Sequence, residues 1–85
     1  MAYRLQLSPR ANRDLKKLPT RVQERLKDYI DALAHAPRPS VVVKLEGEVN
    51  IYRIRVGDYR VLYEVHDQIF VVIVLKIADR KEAYR

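Results

Sequence analysis

With 85 residues the chain has room for one small core, and without cysteine it has neither a disulfide nor a zinc–thiolate staple, so packing must hold it together. Its net charge of +6 and pI near 9.8 fit an anionic partner, whether nucleic acid or an acidic protein segment. The longest apolar run, residues 69–75, is too short to cross a bilayer as a helix, and the opening MAYRLQLSPR has no apolar stretch suited to a secretory signal, so residence in the cytoplasm is expected.

Tyr3, Leu5 and Leu7 alternate with Arg4 and Gln6, the period of a short half-buried strand. Ser8 and Pro9 then open a helix, serine as N-cap and proline at the first helical position, where a missing N–H costs nothing. Ala11, Leu15 and Leu18 share one face, and Arg10, Arg13, Lys16 and Lys17 occupy the rest as a solvated surface. Pro19 ends this helix, and Thr20 with Gln23 suggests a capping box for a second one. Val22, Leu26, Ile30 and Leu33, with Tyr29 beside them, form its apolar stripe. Two such helices predict an antiparallel hairpin laid on a sheet. His35, near Pro37 and Pro39, has no second ligand at helical spacing and suits the terminal carbonyls of the helix better than a metal.

Residues 36–50 form the loop-rich part of the chain. Within it, residues 41–45 suit either an edge strand or a segment docked on the core, and Lys44 is a candidate to extend a basic face. No internal repeat, low-complexity tract or long linker divides the chain, which predicts one domain over residues 1–85.

Residues 51–63, IYRIRVGDYRVLY, organise the rest. Two alternating runs flank Gly57 and Asp58, and glycine first in a two-residue loop suits a type II′ hairpin. With that loop, Val56 faces Tyr59, Arg55 faces Arg60, Ile54 faces Val61 and Arg53 faces Leu62. Tyr52, Ile54, Val56, Tyr59, Val61 and Tyr63 then make a core surface. The other side carries Arg53, Arg55 and Arg60, with two cations directly opposed. Like charges across a strand pair are destabilising, which suggests an anion between them; arginine stems lying over the sheet into water are the commoner arrangement.

Asp67 and Gln68 mark a second turn. As a two-residue loop it would put Phe70, Val72 and Val74 in the core, and Ile69, Val71, Ile73 and Leu75 beside Leu62 on the arginine side. That apolar strip suits either a protein interface or a cover supplied by the chain itself. His66 falls on the same side, at the turn, with no partner to orient it as a base. Past the last strand, Arg80 and Tyr84 add a guanidinium and an aromatic ring, a pairing used on single-stranded RNA.

These stretches, RANRDLKKLP, VVVKLEG, IYRIRVGDYRVLYEV and ADRKEAYR, together resemble the RelE/ParE toxins of prokaryotic toxin–antitoxin modules, specifically the RelE branch, over nearly the whole chain. The resemblance implies a ribosome-dependent endoribonuclease that cuts mRNA in the A site through attack of a ribose 2′-OH on the adjacent phosphate, with no metal or other cofactor. It matches Arg53, Arg55, Arg60, Arg80 and Tyr84 to the family's phosphate-binding and catalytic positions, with Lys44 as a further substrate contact. Asp79 stands where relatives commonly place a basic residue. Arginine is effectively never deprotonated, so the general base is left to Tyr84, Lys44 or ribosomal RNA. The implied partners are a cognate antitoxin, the ribosome with its mRNA, and operator DNA reached through the antitoxin; no membrane is involved. Two alternatives accompany this reading, a ParE-like toxin that inhibits DNA gyrase without cleaving nucleic acid, and an inactive relative that binds only its antitoxin. The fold class expected is α+β: a strand, two helices, then an antiparallel three-stranded meander, in one sheet with the helices on one face.

Overall fold

The computed structural model describes residues 2–39, 42–45, 47 and 49–79. Strand β1 (Arg4–Leu7) leads through Ser8 into helix α1 (Pro9–Lys16), followed by α2 (Thr20–Leu33) and the strands β2 (Val43–Lys44), β3 (Ile51–Val56), β4 (Tyr59–His66) and β5 (Val71–Asp79). The five strands form one sheet in the order β1-β5-β4-β3-β2, antiparallel except for the parallel pair β1–β5. The expected α+β architecture is present, and two points left open by the sequence are resolved. The first strand sits at one edge, beside the last, and Val43 and Lys44 form the opposite edge.

Both helices lie on one side of this sheet. Ala11 and Leu15 of α1 and Leu26, Ile30 and Leu33 of α2 share one core with Tyr52, Ile54, Val56, Val61, Tyr63, Val65, Val72, Val74 and Ile77. Complete burial of a large aliphatic side chain contributes about 1.5–3 kcal/mol, which makes this layer the main source of stability in a chain without covalent staples. Ser8 caps α1 as expected, its Oγ accepting from Ala11 N at 3.0 Å. The capping box expected for α2 does not form. Pro19 is the cap residue, Thr20 is already helical, and the Gln23 side chain instead donates to Leu18 O at 2.8 Å.

The β3–β4 hairpin has the expected register throughout, from Val56 opposite Tyr59 to Arg53 opposite Leu62. Gly57 has φ +59° whereas Asp58 is not in the left-handed region, the pattern of a type II′ turn. The next connection differs from expectation. It takes four residues, 67–70, so His66 pairs with Val71. Ile69 and Phe70 therefore leave the sheet and are 67% and 45% exposed. Phe70 closes the loop at φ +54° and packs edge-on against Tyr3, with ring centroids 5.5 Å apart.

A second departure lies in β5. Tyr63 pairs with Val74 but Leu62 pairs with Lys76, leaving Leu75 as a β-bulge. β1 pairs with β5 only as far as Leu7 opposite Val74, and from there α1 supplies the partners. The Ser8 hydroxyl donates to Leu75 O at 2.8 Å, and Asp14 Oδ2 accepts from Ile77 N at 3.1 Å. The bulge reverses the alternation, so Ile77 enters the core while Lys76 and Ala78 join the opposite face.

Elsewhere, polar tethers tie the loops to the sheet. The Tyr63 hydroxyl donates to Pro37 O at 2.7 Å, and Arg38 donates to Tyr52 Oη at 2.9 Å and to Asp67 Oδ2 at 2.5 Å. Hydrogen bonds from Arg38 and then from Tyr3 hold the Asp67 carboxyl below its ordinary pKa.

Replacing Asp14 with Ala should strand the Ile77 N–H and lower the unfolding free energy by about 1–3 kcal/mol, measured by urea denaturation. Burial pushes the Tyr63 phenol from 10.0 up to about 12. A group with a raised folded-state value gives stability that is complete below its unfolded value, so unfolding free energy should be lost as pH rises from 10.0 toward about 12. A Tyr63→Phe variant should lack that component of the alkaline loss, as read by denaturation across this range.

Candidate phosphate-binding face

The hairpin core turns Tyr52, Ile54, Val56, Val61 and Tyr63 toward the helices, and strand alternation sends the intervening residues to the opposite face. Two cross-strand rows stand there. One runs Val43, Arg53, Leu62, Lys76 across β2, β3, β4 and β5; the next runs Arg55, Arg60, Ala78 across β3, β4 and β5. With strands about 4.8 Å apart, the backbones of Arg53 and Lys76 stand about 10 Å from each other with Leu62 between them.

Between these rows is a shallow hollow of about 270 Å³ lined by Leu45, Arg53, Arg60, Leu62, Lys76 and Ala78. Its floor is aliphatic and its rim is cationic, with no carboxylate among the described lining residues. Arg53, Arg60 and Lys76 are half-buried, which restricts their stems. Arg55 is exposed at the hairpin end, its Nε donating to Gly57 O at 3.2 Å. Glu64, an acid on this face, is turned toward His66, with 3.5 Å between carboxylate oxygen and Nε2.

The structure thus brings Arg53, Arg55 and Arg60 to one face. Arg80 and Tyr84 lie outside the described residues. Lys44 does not extend the face: it pairs with Tyr52, and directly paired residues share a side, so the short β2 strand turns it toward the helix side while Leu45 reaches the hollow. Asp79 pairs with Tyr59, likewise on the helix side, and lines a cleft with Asp14, Lys17, Leu18 and Ile77 of that side. The apolar strip expected beside the arginines is shorter than unbroken alternation implies. Ile69 is in the loop, Leu75 is bulged, and Lys76 takes the place next to Leu62.

Lys76 is the lining cation that the alternation reading does not single out. Its signal lies in residues 74–77, Val-Leu-Lys-Ile. Unbroken alternation after Val72 and Val74 would bury Lys76 and expose Ile77, and one extra residue removes both conflicts. Among the described residues no cluster of His, Asp or Glu could hold a metal ion, and no helix is long and apolar enough to cross a membrane.

A sequence profile of the ParE toxins of type II toxin–antitoxin systems (parDE) matches residues 5–84. The mRNA interferase toxin RelE of Escherichia coli is 33% identical over 85 residues, covering 98% of this chain and 88% of that protein. Among solved structures, the archaeal RelE–RelB complex of Pyrococcus horikoshii OT3 has a chain that matches with a TM-score of 0.83 at 35% identity, over 94% of this chain and 97% of that one. The isolated E. coli RelE toxin matches at 0.81 and 33% identity, over 98% and 92% respectively.

A face with opposed guanidinium groups should be stabilised by an anion. Titration with inorganic phosphate at constant ionic strength should raise the unfolding free energy by on the order of 1 kcal/mol at about ten times its Kd. An Arg53→Gln, Arg60→Gln double variant should lose most of that gain, as measured by thermal denaturation.

Proposed function

Since this chain belongs to the ParE toxin family of type II toxin–antitoxin systems, and is RelE-like within the RelE/ParE superfamily, we propose that it is an endoribonuclease that cuts mRNA in the ribosomal A site. The observation that carries this reading is the cluster of Arg53, Arg55 and Arg60 on a rigid sheet face. The relative in E. coli, itself named an mRNA interferase, supports it.

In the proposed step a ribose 2′-oxygen forms a bond to the adjacent phosphorus while the bond from phosphorus to the 5′-oxygen of the next nucleotide breaks. The 2′-hydroxyl gives up its proton and the departing 5′-oxygen takes one, leaving a 2′,3′-cyclic phosphate and a free 5′-hydroxyl. Charge builds on the non-bridging oxygens of the pentacoordinate phosphorus. Arg53, Arg55 and Arg60 are assigned to hold that charge, because planar guanidinium forks match phosphate oxygens. All the cationic charge in this scheme comes from the chain, which is why the step is proposed to need no metal. Arg80 is assigned to the leaving oxygen, and Tyr84 to stacking on the base or assisting proton transfer, both carried over from the family resemblance. The proton acceptor is Tyr84 or a group of the ribosomal RNA; Lys44, on the other side of the sheet, is left out of the site.

The ribosome supplies the rest of the active complex, which puts the activity in the cytoplasm. A RelB-type antitoxin is the proposed regulator, since solved relatives are RelE–RelB complexes, and it would carry the toxin to operator DNA. The ParE description of the matching profile carries a second reading, inhibition of DNA gyrase without cleavage. The arginine cluster favours the first.

The test is mRNA cleavage in a reconstituted translation reaction, with and without ribosomes, comparing wild type with an Arg60→Ala, Arg80→Ala double variant. Ribosome-dependent cleavage at the A-site codon, reduced on the order of 10²-fold or more in the variant, is expected. Intact mRNA in the presence of folded wild-type protein would overturn the assignment, and a gyrase supercoiling assay would then decide the second reading.

A further inference from the structure

Strand β1 lies at one edge of the sheet, and its backbone groups divide between two directions. Arg4 N donates to Phe70 O at 2.7 Å and Ser8 N to Val74 O at 2.9 Å, so in this parallel ladder Arg4 and Gln6, and Ser8 through its N–H, are the residues bonded to β5. Leu5 and Leu7 alternate with them and turn N–H and C=O outward, where no further strand lies among the described residues. Both ends of this bare stretch are closed. Tyr3 N donates to Ala34 O at 2.7 Å, and Pro9, which has no N–H, begins α1. Leu5, Gln6 and Leu7 are left as a short edge whose outward donors and acceptors favour pairing with another strand. Exposed Ile69 and Phe70 border it, since Phe70 O is the partner of Arg4 N.

We propose that this edge pairs with the same edge of a second copy of the chain, antiparallel about a two-fold axis through Gln6. The register singles out a second copy. With Gln6 opposite Gln6, Leu5 of each copy meets Leu7 of the other, and every outward N–H and C=O of both chains finds a partner. Shifted registers fail. Leu5 opposite Leu5 sets Leu7 against Tyr3, whose N–H already serves Ala34, and Leu7 opposite Leu7 sets Leu5 against Pro9, which cannot donate. Charge fits the same register. Arg4 comes opposite Ser8, and the two Arg4 backbones are offset by about 13 Å along the strands, beyond a Debye length of about 8 Å at physiological salt. At the axis two exposed neutral amides face each other and can exchange hydrogen bonds. The half-buried Leu5 and Leu7, which pack on the core from the helix side, come into contact across the new pair. An acidic segment of another protein has less reason to bind here, because the groups turned outward are uncharged and the cations of the hairpin lie on the open face. Two such short edges bury less than the roughly 1,200 Å² of a lasting interface, so the dimer is weak and depends on concentration. Such pairing does not depend on the ribonuclease reading.

The chain has no cysteine, so Gln6→Cys introduces a single thiol. Directly opposed residues of a non-hydrogen-bonded antiparallel pair have Cα atoms about 4.5 Å apart, within the disulfide range. Mild oxidation of Gln6→Cys should therefore give a covalent dimer, whereas Arg4→Cys, on the same strand but offset from its own copy, should stay monomeric. The second measurement is sedimentation of the uncrosslinked protein over a range of concentrations. Wild type should associate reversibly, and more strongly as salt screens the +6 charge of each chain. Gln6→Lys and Gln6→Glu alone should each weaken association about 5-fold, because like charges then meet at the axis, and an equimolar mixture of the two should recover it, because opposite charges do. Gln6 and Arg4 are both exposed, and thermal melts matched to wild type keep folding out of the comparison. A wild type that sediments as a monomer at every concentration, crosslinking of Arg4→Cys as fast as Gln6→Cys, or a mixture no better than its components would overturn the pairing. Antitoxin binding weakened by Gln6→Lys in a protein that never self-associates would overturn it in favour of a strand from the antitoxin.

Discussion

The arrangement of the cationic face depends on one irregularity in β5, the bulge at Leu75, and on the two side chains of the α1 segment that hold it. Ser8 both caps its own helix and donates to Leu75 O, and Asp14, nearly two turns further on, accepts from Ile77 N. These contacts replace the strand partner that β1 no longer supplies beyond Val74. Because buried backbone groups left unpaired cost on the order of 1–3 kcal/mol, the bulge is tolerable only where such partners exist. Its consequence is a change of phase. Without it, Lys76 would point into a core of leucine, valine and tyrosine, and Ile77 would take its place on the open face.

That same irregularity explains which parts of the molecule are legible in the sequence. The hairpin register is legible because Gly57 fixes the loop and every following residue inherits its parity. The α1 cap is legible because Ser8 and Pro9 act locally. Strand parity in β5 is legible only up to Val74, since a periodic reading assumes an unbroken strand. The Lys-Ile inversion at 76 and 77 was the available sign of the break. The four-residue loop at 67–70 is hidden for a different reason. It changes loop length by two, which conserves parity, so Val72 and Val74 are core residues under either reading while Phe70 is not.

Non-local choices are illegible for a third reason. The parallel partnership of β1 with β5 joins the two ends of the chain, and nothing in residues 4–7 specifies which strand they will meet. Lys44 shows the same dependence, because the side of the sheet it occupies follows from its pairing with Tyr52 and not from its neighbours in sequence. Composition places a cation near the site there, and register sends it to the other side.

Charge is treated differently at the two ends of the sheet. Arg38 is satisfied by Asp67 and the Tyr52 hydroxyl, with its guanidinium 5.2 Å from the Tyr52 ring centre, so it is spent on holding loops in place. Arg55 and Arg60 face each other directly, and among the described residues no acid lines the hollow between Arg60 and Lys76. Repulsion between partly exposed cations costs on the order of 1 kcal/mol or less, by analogy with the small worth of surface ion pairs, and the buried layer beneath contributes several times that. The fold can therefore keep these charges close in the absence of a ligand. In the proposed function, a phosphate arriving between them would meet guanidinium donors on a fixed sheet face, and relief of their mutual repulsion would add to its binding. The rigid hydrophobic layer and the cationic face are thus one device: packing on the helix side supplies the stability that lets the other side hold opposed cations.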